Sequence, residues 1–228
     1  MSPEDFSAEL YRDFEWRSDE LTALTNLITR EKDGETQSQL RKAVVVVLYA
    51  HFEGFCIFGL NHYVTAVNRE QVLCKDAVAA IVAGAWEPVF RAMETGDQKC
   101  RVFSRPLPSD DKLHRHWRRR HFVEELDGLK MRAVKIPDDV VDSESNLRPA
   151  VLQRNLFLLG LDHRFVDPHC DTINSLLARR NRIAHGDDRR GVSKEDLRKY
   201  EGMVFDVCFE LVEFLDAAFR TKAFLMPI

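Results

Sequence analysis

One long apolar segment in the first third of the chain constrains the fold more than any other feature. It runs from about Thr36 to about Asn68 and contains no proline. Core-type side chains recur in it every three or four residues, a spacing that predicts a helix rather than a strand. The remaining faces are apolar too, so we expect this helix at the centre of a bundle. The stepping positions are Leu40, Val44, Val47, His51, Phe55 and Phe58, and the other faces carry Val45, Val46, Ala50 and Phe52.

The rest of the chain has the same helical character. It contains only 10 Gly and 8 Pro in 228 residues, and these lie mostly between helical patterns. We therefore predict an all-α helical bundle that forms one domain over residues 1–228, with a variable helical and loop insertion at about 95–135 and a polar loop at 135–149. The predicted helices span about 3–31, 36–68, 75–94 with a kink at Pro88, 149–160, 168–184, and 193–221 with Ser193 as the N-cap.

Composition narrows the functional classes. The formal net charge is −4 and the sequence pI is about 6.1, which argues against a strongly basic nucleic-acid-coating protein, so any RNA contact is expected to be local. The five cysteines are scattered and contain no CxxC pair, which is typical of reduced, mostly buried thiols. No HExxH or similar cluster is present, so we predict neither a metal nor a cofactor.

The N-terminal segment and the hydropathy pattern predict a location. The chain opens on MSPEDFSAEL, which is acidic and lacks the basic and apolar parts of a signal peptide. No uninterrupted run of 18 apolar residues occurs. We expect a cytoplasmic protein without a membrane partner.

The stretch LLARRNRIAHGDD, residues 176–188, carries the residues best suited to chemistry. Arg180 is followed by Asn181 and, after an Arg-x4-His spacing, by His185 and Gly186. Arginine provides a permanent planar cation for phosphate, and histidine exchanges a proton near neutral pH. Together they suit cleavage of RNA without a metal, in which the ribose 2′-hydroxyl attacks the neighbouring phosphate.

We predict separate roles for the three residues. His185 transfers the proton, Arg180 holds the scissile phosphate, and Asn181 orients the phosphate or the imidazole. Five helical residues turn by about 140° beyond one full turn, so a regular helix would not place Arg180 and His185 on one face. Gly186 is expected to end the helix there, and a two-fold dimer would bring two copies of the pair together. The spacing also occurs by chance, and a His-Gly pair is often only a helix cap.

Three segments in a characteristic order carry a wider resemblance. They are FEWRSDEL at 14–21, VVVVLYAHFEGFCIFGLNHYV at 44–64 and LLARRNRIAHGD at 176–187, and NLRPAVLQRNLFLLGLD at 146–162 resembles the lead-in to the last. With them the chain resembles the HEPN superfamily, and most closely its prokaryotic MAE-type nuclease branch. The resemblance implies a HEPN-type bundle, a homodimer with two Arg-x4-His motifs in one cleft, metal-independent endoribonuclease activity, and a role in toxin–antitoxin or phage-defence systems.

Other residues are weaker candidates. The basic segment 112–121 could bind RNA phosphates or be a solvated helix face, and Arg179 and Arg182 could support the phosphate or be ordinary surface charges. Glu53 could hydrogen-bond to Arg180 across the core or form a structural ion pair. The candidate substrate-binding residues are Arg179, Arg182, Arg118, Arg119 and Arg120, and Glu53 is the candidate supporting residue.

Two hypotheses follow from the sequence. The first is a dimeric endoribonuclease that acts on RNA as a toxin or defence effector, with an antitoxin or defence-system protein as a possible partner. The alternative is a noncatalytic HEPN module that binds nucleotide, RNA or a protein through the same cleft. A nucleotidyl or phosphate transferase ranks last, because the chain lacks a Gly-rich phosphate loop and a carboxylate pair for magnesium.

Overall fold

The computed structural model describes residues 1–95, 99–103, 111–188 and 190–227. Over this part of the chain the structure is 75% helical, with eight α-helices and no strands, and this confirms the all-α prediction. The helices are α1 (Pro3–Arg30), α2 (Gly34–Arg69), α3 (Ala79–Ala85), α4 (Glu87–Glu94), α5 (Asp111–Lys130), α6 (Pro149–Leu158), α7 (Cys170–Ala184) and α8 (Lys194–Arg220), and short 3-10 turns occupy Cys74–Asp76 and His163–His169.

Side-chain caps explain where the three longest helices begin. The Ser2 side chain accepts from the Asp5 amide ahead of α1, and Asp33 accepts from the Thr36 amide ahead of α2. Ser193 accepts from the Asp196 amide at 3.0 Å, which confirms it as the N-cap of α8. Each cap satisfies an amide that has no partner within its helix.

Helix α2 is the centre of the bundle, as the apolar segment predicts. Helices α1, α7 and α8 all pack on it, and α1 and α7 also pack on α8. Three of its aromatic side chains, Tyr49, Phe52 and Tyr63, are completely buried. Burial of such large side chains is the main contribution to the stability of a bundle of this kind.

By length and composition alone, α2 could also cross a membrane. Its most apolar 18-residue window has a mean hydropathy of 1.9, and 56% of that window is buried inside the bundle. The core helix of a globular bundle meets the same two criteria, so they do not assign a membrane span here.

The segment predicted as one helix over 75–94 forms two helices instead. Helix α3 ends at Ala85, Trp86 adopts φ −96° and ψ 5°, and α4 begins at Glu87. Pro88 therefore lies in the first turn of α4 and not at a kink inside a longer helix. A proline has no amide to donate and is tolerated in a first turn, whereas inside a helix it would break a hydrogen bond.

Helix α5 lies in the predicted insertion and packs on α4, which comes just before that insertion. The chain after α5 returns to the bundle beside the 3-10 turn, where the Cys74 amide donates to the Arg132 carbonyl at 2.9 Å. The Asn68 side chain then fixes the loop before α6 by pairing with the backbone N–H and C=O of Ile136. The motif helix α7 instead packs on α2, α6 and α8, so motif and insertion lie on different parts of the fold.

Candidate active site

Helix α7 positions the Arg-x4-His motif by burying one face. Its buried side chains are Ile173, Leu176 and Leu177, and α7 packs on α2 and α8. Arg180 lies three to four residues after the two leucines and therefore emerges beside the buried face. Its side chain is half-buried.

Two asparagines hold one end of the Arg180 guanidinium. Its Nη1 donates to the Asn181 Oδ1 at 2.8 Å and to the Asn146 Oδ1 at 3.2 Å. The Nε and Nη2 atoms form no hydrogen bond or ion pair within the described chain. The edge that most often binds two oxygens of a phosphate or carboxylate therefore has no partner among the described residues.

The aromatic ring of Tyr49 lies beneath this guanidinium. The Arg180 Cζ is 5.0 Å from the ring centroid, within the range of a cation–π interaction. Tyr49 comes from the central helix α2, and its hydroxyl is buried with no hydrogen bond of ordinary geometry among the described residues. Burial, and secondarily the Glu53 charge, raises the pKa of Tyr49 to about 12, although the nearby Leu147 backbone and the Arg180 charge act in the opposite direction.

His185 lies at the point where α7 ends, as the sequence predicts. It is the C-cap residue, and Gly186 follows with φ +76°. The Gly186 amide donates to Ile183 O at 3.1 Å and the Asp187 amide to Arg182 O at 2.9 Å, the paired bonds of a Schellman motif. The imidazole is exposed and forms no hydrogen bond, ion pair or ring contact within the described residues, so no such bond joins it to Arg180.

The loop after His185 is fastened to the bundle. Arg179 Nε pairs with Asp188 Oδ2 at 2.9 Å, with side-chain exposures of 15% and 5%, and Arg179 Nη2 donates to Gly191 O at 2.7 Å. Lys42 on α2 donates to the Asp188 carbonyl at 2.7 Å. Gly191 is required by close approach, because a Cβ there would lie 1.6 Å from the Ser38 Oγ.

These contacts indicate which of the weaker candidates near the motif have a structural role and which stay available for RNA. Arg179 uses its polar atoms to anchor the loop, so its contacts favour a structural role over a phosphate contact. Arg182 is exposed and makes no side-chain bond within the described residues, so it stays a candidate for RNA. Glu53 is half-buried one turn after Tyr49, and no ion pair within the described chain joins it to Arg180.

The basic segment forms the first half of α5. The Arg118 Nε donates to the Met93 carbonyl at 2.9 Å, and Arg120 pairs with Glu124 at 2.7 Å. Arg119 is exposed. The structure thus places these three candidates on a helix that does not belong to the packing around α7.

A second polar cluster lies between α1 and α2. Arg17 Nε pairs with Asp13 at 2.6 Å, Arg17 Nη1 is 3.5 Å from His51 Nδ1, and His51 Nε2 is 2.9 Å from Glu20. Burial lowers the pKa of His51, with Glu20 opposing this shift and Arg17 adding to it. Because these charges are largely paired with one another, the cluster reads as a structural link between the two helices.

No cluster of three or more His, Cys, Asp or Glu side chains that could hold a metal occurs among the described residues. The five cysteines are free, and Cys56, Cys74 and Cys208 are buried. Burial raises the pKa of the Cys56 and Cys208 thiols, which keeps them protonated and unreactive.

Sequence reasoning missed two residues of the site, Tyr49 and Asn146. Tyr49 stands in the middle of an apolar run, where a tyrosine is read as core. Asn146 lies in a polar loop 34 residues before its partner. The available signal was the start of the stretch NLRPAVLQRNLFLLGLD, but nothing in one sequence pairs that asparagine with Arg180.

Comparison with protein-family models identifies a family for the chain. A family model described as MAE_28990-like HEPN covers residues 6–224, almost the whole chain. Among curated proteins and among solved structures no significant match was found.

Proposed function

The chain belongs to the MAE-type branch of the HEPN superfamily, and from that premise we propose that it is a metal-independent endoribonuclease that uses Arg180, Asn181 and His185. The observation that supports this most directly is how the Arg180 guanidinium is held. Its Nη1 is held by two asparagines and its ring platform is rigid, while the Nε and Nη2 edge carries no partner within the described residues. A preorganised cation with an open bidentate edge is suited to a phosphodiester.

In the proposed reaction the 2′-hydroxyl attacks the adjacent phosphorus and the bond to the 5′-oxygen breaks. A neutral imidazole accepts the proton from the 2′-hydroxyl, and a protonated imidazole donates one to the departing 5′-oxygen. Arg180 balances the charge that develops on the non-bridging oxygens. The products are a 2′,3′-cyclic phosphate and a 5′-hydroxyl, and DNA is not cut because it lacks the nucleophile.

This scheme needs two imidazoles, and each chain offers one His185. We propose that a homodimer provides both in one cleft. The surface that supports a homodimer is a stripe on α2 formed by Val46, Ala50 and Glu53, next to the side that carries Tyr49. In this stripe Val46 and Glu53 are half-buried and Ala50 is exposed. Val46 and Ala50 are apolar yet lie outside the packed core of the bundle, as expected of a face that a second copy covers.

Cleavage without metal tests the proposal. Purified protein is incubated with single-stranded RNA in EDTA, beside His185→Ala, Arg180→Ala and the control Arg190→Ala, an exposed arginine of the following loop. We expect the wild type and Arg190→Ala to cut and to leave 2′,3′-cyclic phosphate ends, and the two motif variants to be inert. Cleavage by His185→Ala at the wild-type rate would contradict the proposal. So would wild-type cleavage that is lost in EDTA and restored by magnesium.

The alternative is a noncatalytic module that binds RNA, nucleotide or a protein through the same cleft. The observation that favours it is that no hydrogen bond joins Arg180 to His185 within the described residues of one chain. Equal inertness of all four proteins toward RNA, with RNA binding that depends on Arg180, would support this module.

The biological setting is also a proposal. A cytoplasmic ribonuclease of this kind arrests growth when it is unrestrained, which suits a toxin or a phage-defence effector with an antitoxin or defence-system partner. Expression of the wild type, but not of His185→Ala, is then expected to stop growth of the host cell.

A further inference from the structure

One face of α5 concentrates positive charge away from the motif. Lys112, Arg115 and Arg119 lie within about 60° of one another around the helix axis. All three are exposed, and none forms an ion pair or side-chain hydrogen bond within the described residues. Three adjacent cations that form no ion pair within the described residues repel one another, and this repulsion is relieved when an anion binds.

The other arginines of the segment differ in this respect. Arg120 points about 100° further round the helix and pairs with Glu124 at 2.7 Å. The Arg118 Nε donates to the Met93 carbonyl at 2.9 Å, which ties α5 to α4. The three consecutive arginines at 118–120 are indistinguishable in the sequence. In the structure only Arg119 lies on the face with Lys112 and Arg115.

A pocket of about 400 Å³ opens beside this face, between α4 and α5. Phe90 and Met93 of α4 form its apolar part, and Phe90 is 37% exposed. Phe90 also contacts Phe122 with a centroid distance of 6.2 Å, which fixes the ring in place. A fixed aromatic ring next to cations is the arrangement on which an unpaired base stacks while its phosphates pair with the cations.

The pocket also holds one carboxylate, Glu94, and its remaining polar lining comes from Arg115, Arg118 and Arg119. Glu94 forms no ion pair or hydrogen bond within the part of the chain that the structure describes. It would repel a phosphate but accepts hydrogen bonds from the amino group of a base or from a ribose hydroxyl. A carboxylate among the lining residues is consistent with a nucleotide and not with a free anion.

We infer that Lys112, Arg115 and Arg119, with Phe90 and Met93, form a second binding site for single-stranded RNA. The inference rests on the proposed function and adds where the RNA is held outside the cleft. Because α5 and α7 pack on different helices, we expect that only an RNA several nucleotides long reaches both sites. The site therefore favours long unpaired substrates and leaves a minimal dinucleotide unaffected.

Binding to a protein that cannot cut tests the site separately from catalysis. A fluorescent single-stranded RNA of about 16 nucleotides is titrated with His185→Ala, with His185→Ala plus Arg115→Ala and Arg119→Ala, and with His185→Ala plus Arg120→Ala as the matched control. We expect the double arginine change to raise the Kd about tenfold and to flatten its salt dependence, and Arg120→Ala to change the Kd by less than about twofold. Single-stranded DNA of the same sequence should show the same loss, because the phosphate contacts do not need the 2′-hydroxyl.

The outcomes separate the two proposals. If the wild type cuts RNA and the double arginine variant binds as tightly as its parent, the second site is wrong and the nuclease stands. If binding depends on Arg115 and Arg119 but the wild type never cuts, the site stands and the nuclease is wrong. Equal loss in the Arg120→Ala control, or no binding by the parent, also overturns the site.

A cleavage assay gives the corresponding kinetic signature. With the long RNA, Arg115→Ala plus Arg119→Ala is expected to raise KM and leave kcat unchanged, whereas with a dinucleotide both constants match the wild type. A fall in kcat on the dinucleotide would assign these arginines to the fold or to the cleft instead.

Discussion

The Arg180 guanidinium lies 5.0 Å above the ring of Tyr49, which brings the motif helix α7 onto the central helix α2. The Tyr49 side chain is completely buried, so its ring cannot turn away from this contact. The contact therefore fixes the height and tilt of the cation that we propose to hold the scissile phosphate.

The Tyr49 ring, and not its hydroxyl, is expected to matter. Tyr49→Phe keeps the platform and removes a buried hydroxyl that has no ordinary hydrogen bond, so unfolding free energy should change by less than about 1 kcal/mol and cleavage should persist. Tyr49→Leu removes the cation–π contact and leaves a cavity, costing about 2–3 kcal/mol. Urea unfolding and RNA cleavage check both variants, and equal activity of Phe and Leu would show that the platform is dispensable.

The helix stop at Gly186 predicts how a Gly→Ala change affects stability. A second glycine, inside a helix, serves as a control for which the opposite effect is expected. Gly186 has φ +76°, so Gly186→Ala should destabilise the protein by about 1–2 kcal/mol and disturb the position of His185. Gly202 lies inside α8 with no neighbour within reach of a Cβ, so Gly202→Ala should stabilise by about 0.5–1 kcal/mol. Thermal unfolding measures both, and a stabilising Gly186→Ala would contradict the cap.

The Arg179–Asp188 ion pair should contribute far more than a surface pair. Both side chains are largely buried, so removing either one leaves an uncompensated charge at a cost of about 3 kcal/mol. The exposed pair of Arg120 and Glu124 should contribute less than about 1 kcal/mol. Double-mutant cycles on the two pairs give the comparison, and similar coupling energies would mean that the loop is not anchored as described.

The stripe on α2 predicts where a second copy binds. Ala50→Glu places a charge in the proposed interface and should shift the protein from dimer to monomer and abolish RNA cleavage together. Ala23→Glu changes an exposed alanine on α1 and should do neither. Light scattering after size exclusion reports the mass, and a fully dimeric Ala50→Glu would exclude this face.

Because two of its histidines are buried, we expect the protein to lose stability in mild acid. Burial lowers the pKa of His51, where Glu20 opposes and Arg17 reinforces the shift, and burial lowers the pKa of His62, where Glu9 opposes it. A histidine whose folded pKa is lowered contributes stability that is present above its unfolded pKa of about 6.5 and is lost as pH falls through the folded pKa.

Urea unfolding between neutral pH and mildly acidic pH measures this loss. The unfolding free energy of the wild type should fall over that range, and His51→Gln and His62→Gln should each flatten the curve. An unfolding free energy that rises toward acid would show that Glu20 and Glu9 outweigh burial.

Much of the fold could be predicted from the local pattern of residues in the sequence. The period of apolar residues predicted α1, α2 and α6 to α8 close to their observed bounds, because helical spacing and capping are properties of neighbouring residues. The division between α3 and α4 at Trp86 was not predicted, since a proline two residues later fits either a kink or a first turn.

The candidate site divides in the same way. The sequence by itself identified Arg180, Asn181 and His185 as candidates and predicted the helix stop at Gly186, because these lie within one short segment. Only the tertiary structure decided that Tyr49 and Asn146 hold Arg180, that Arg179 is used by Asp188, and that Arg119 and not Arg120 faces a pocket with Arg115. Those contacts depend on how separate helices pack against each other, and spacing along the chain does not encode them in a form that a single sequence reveals.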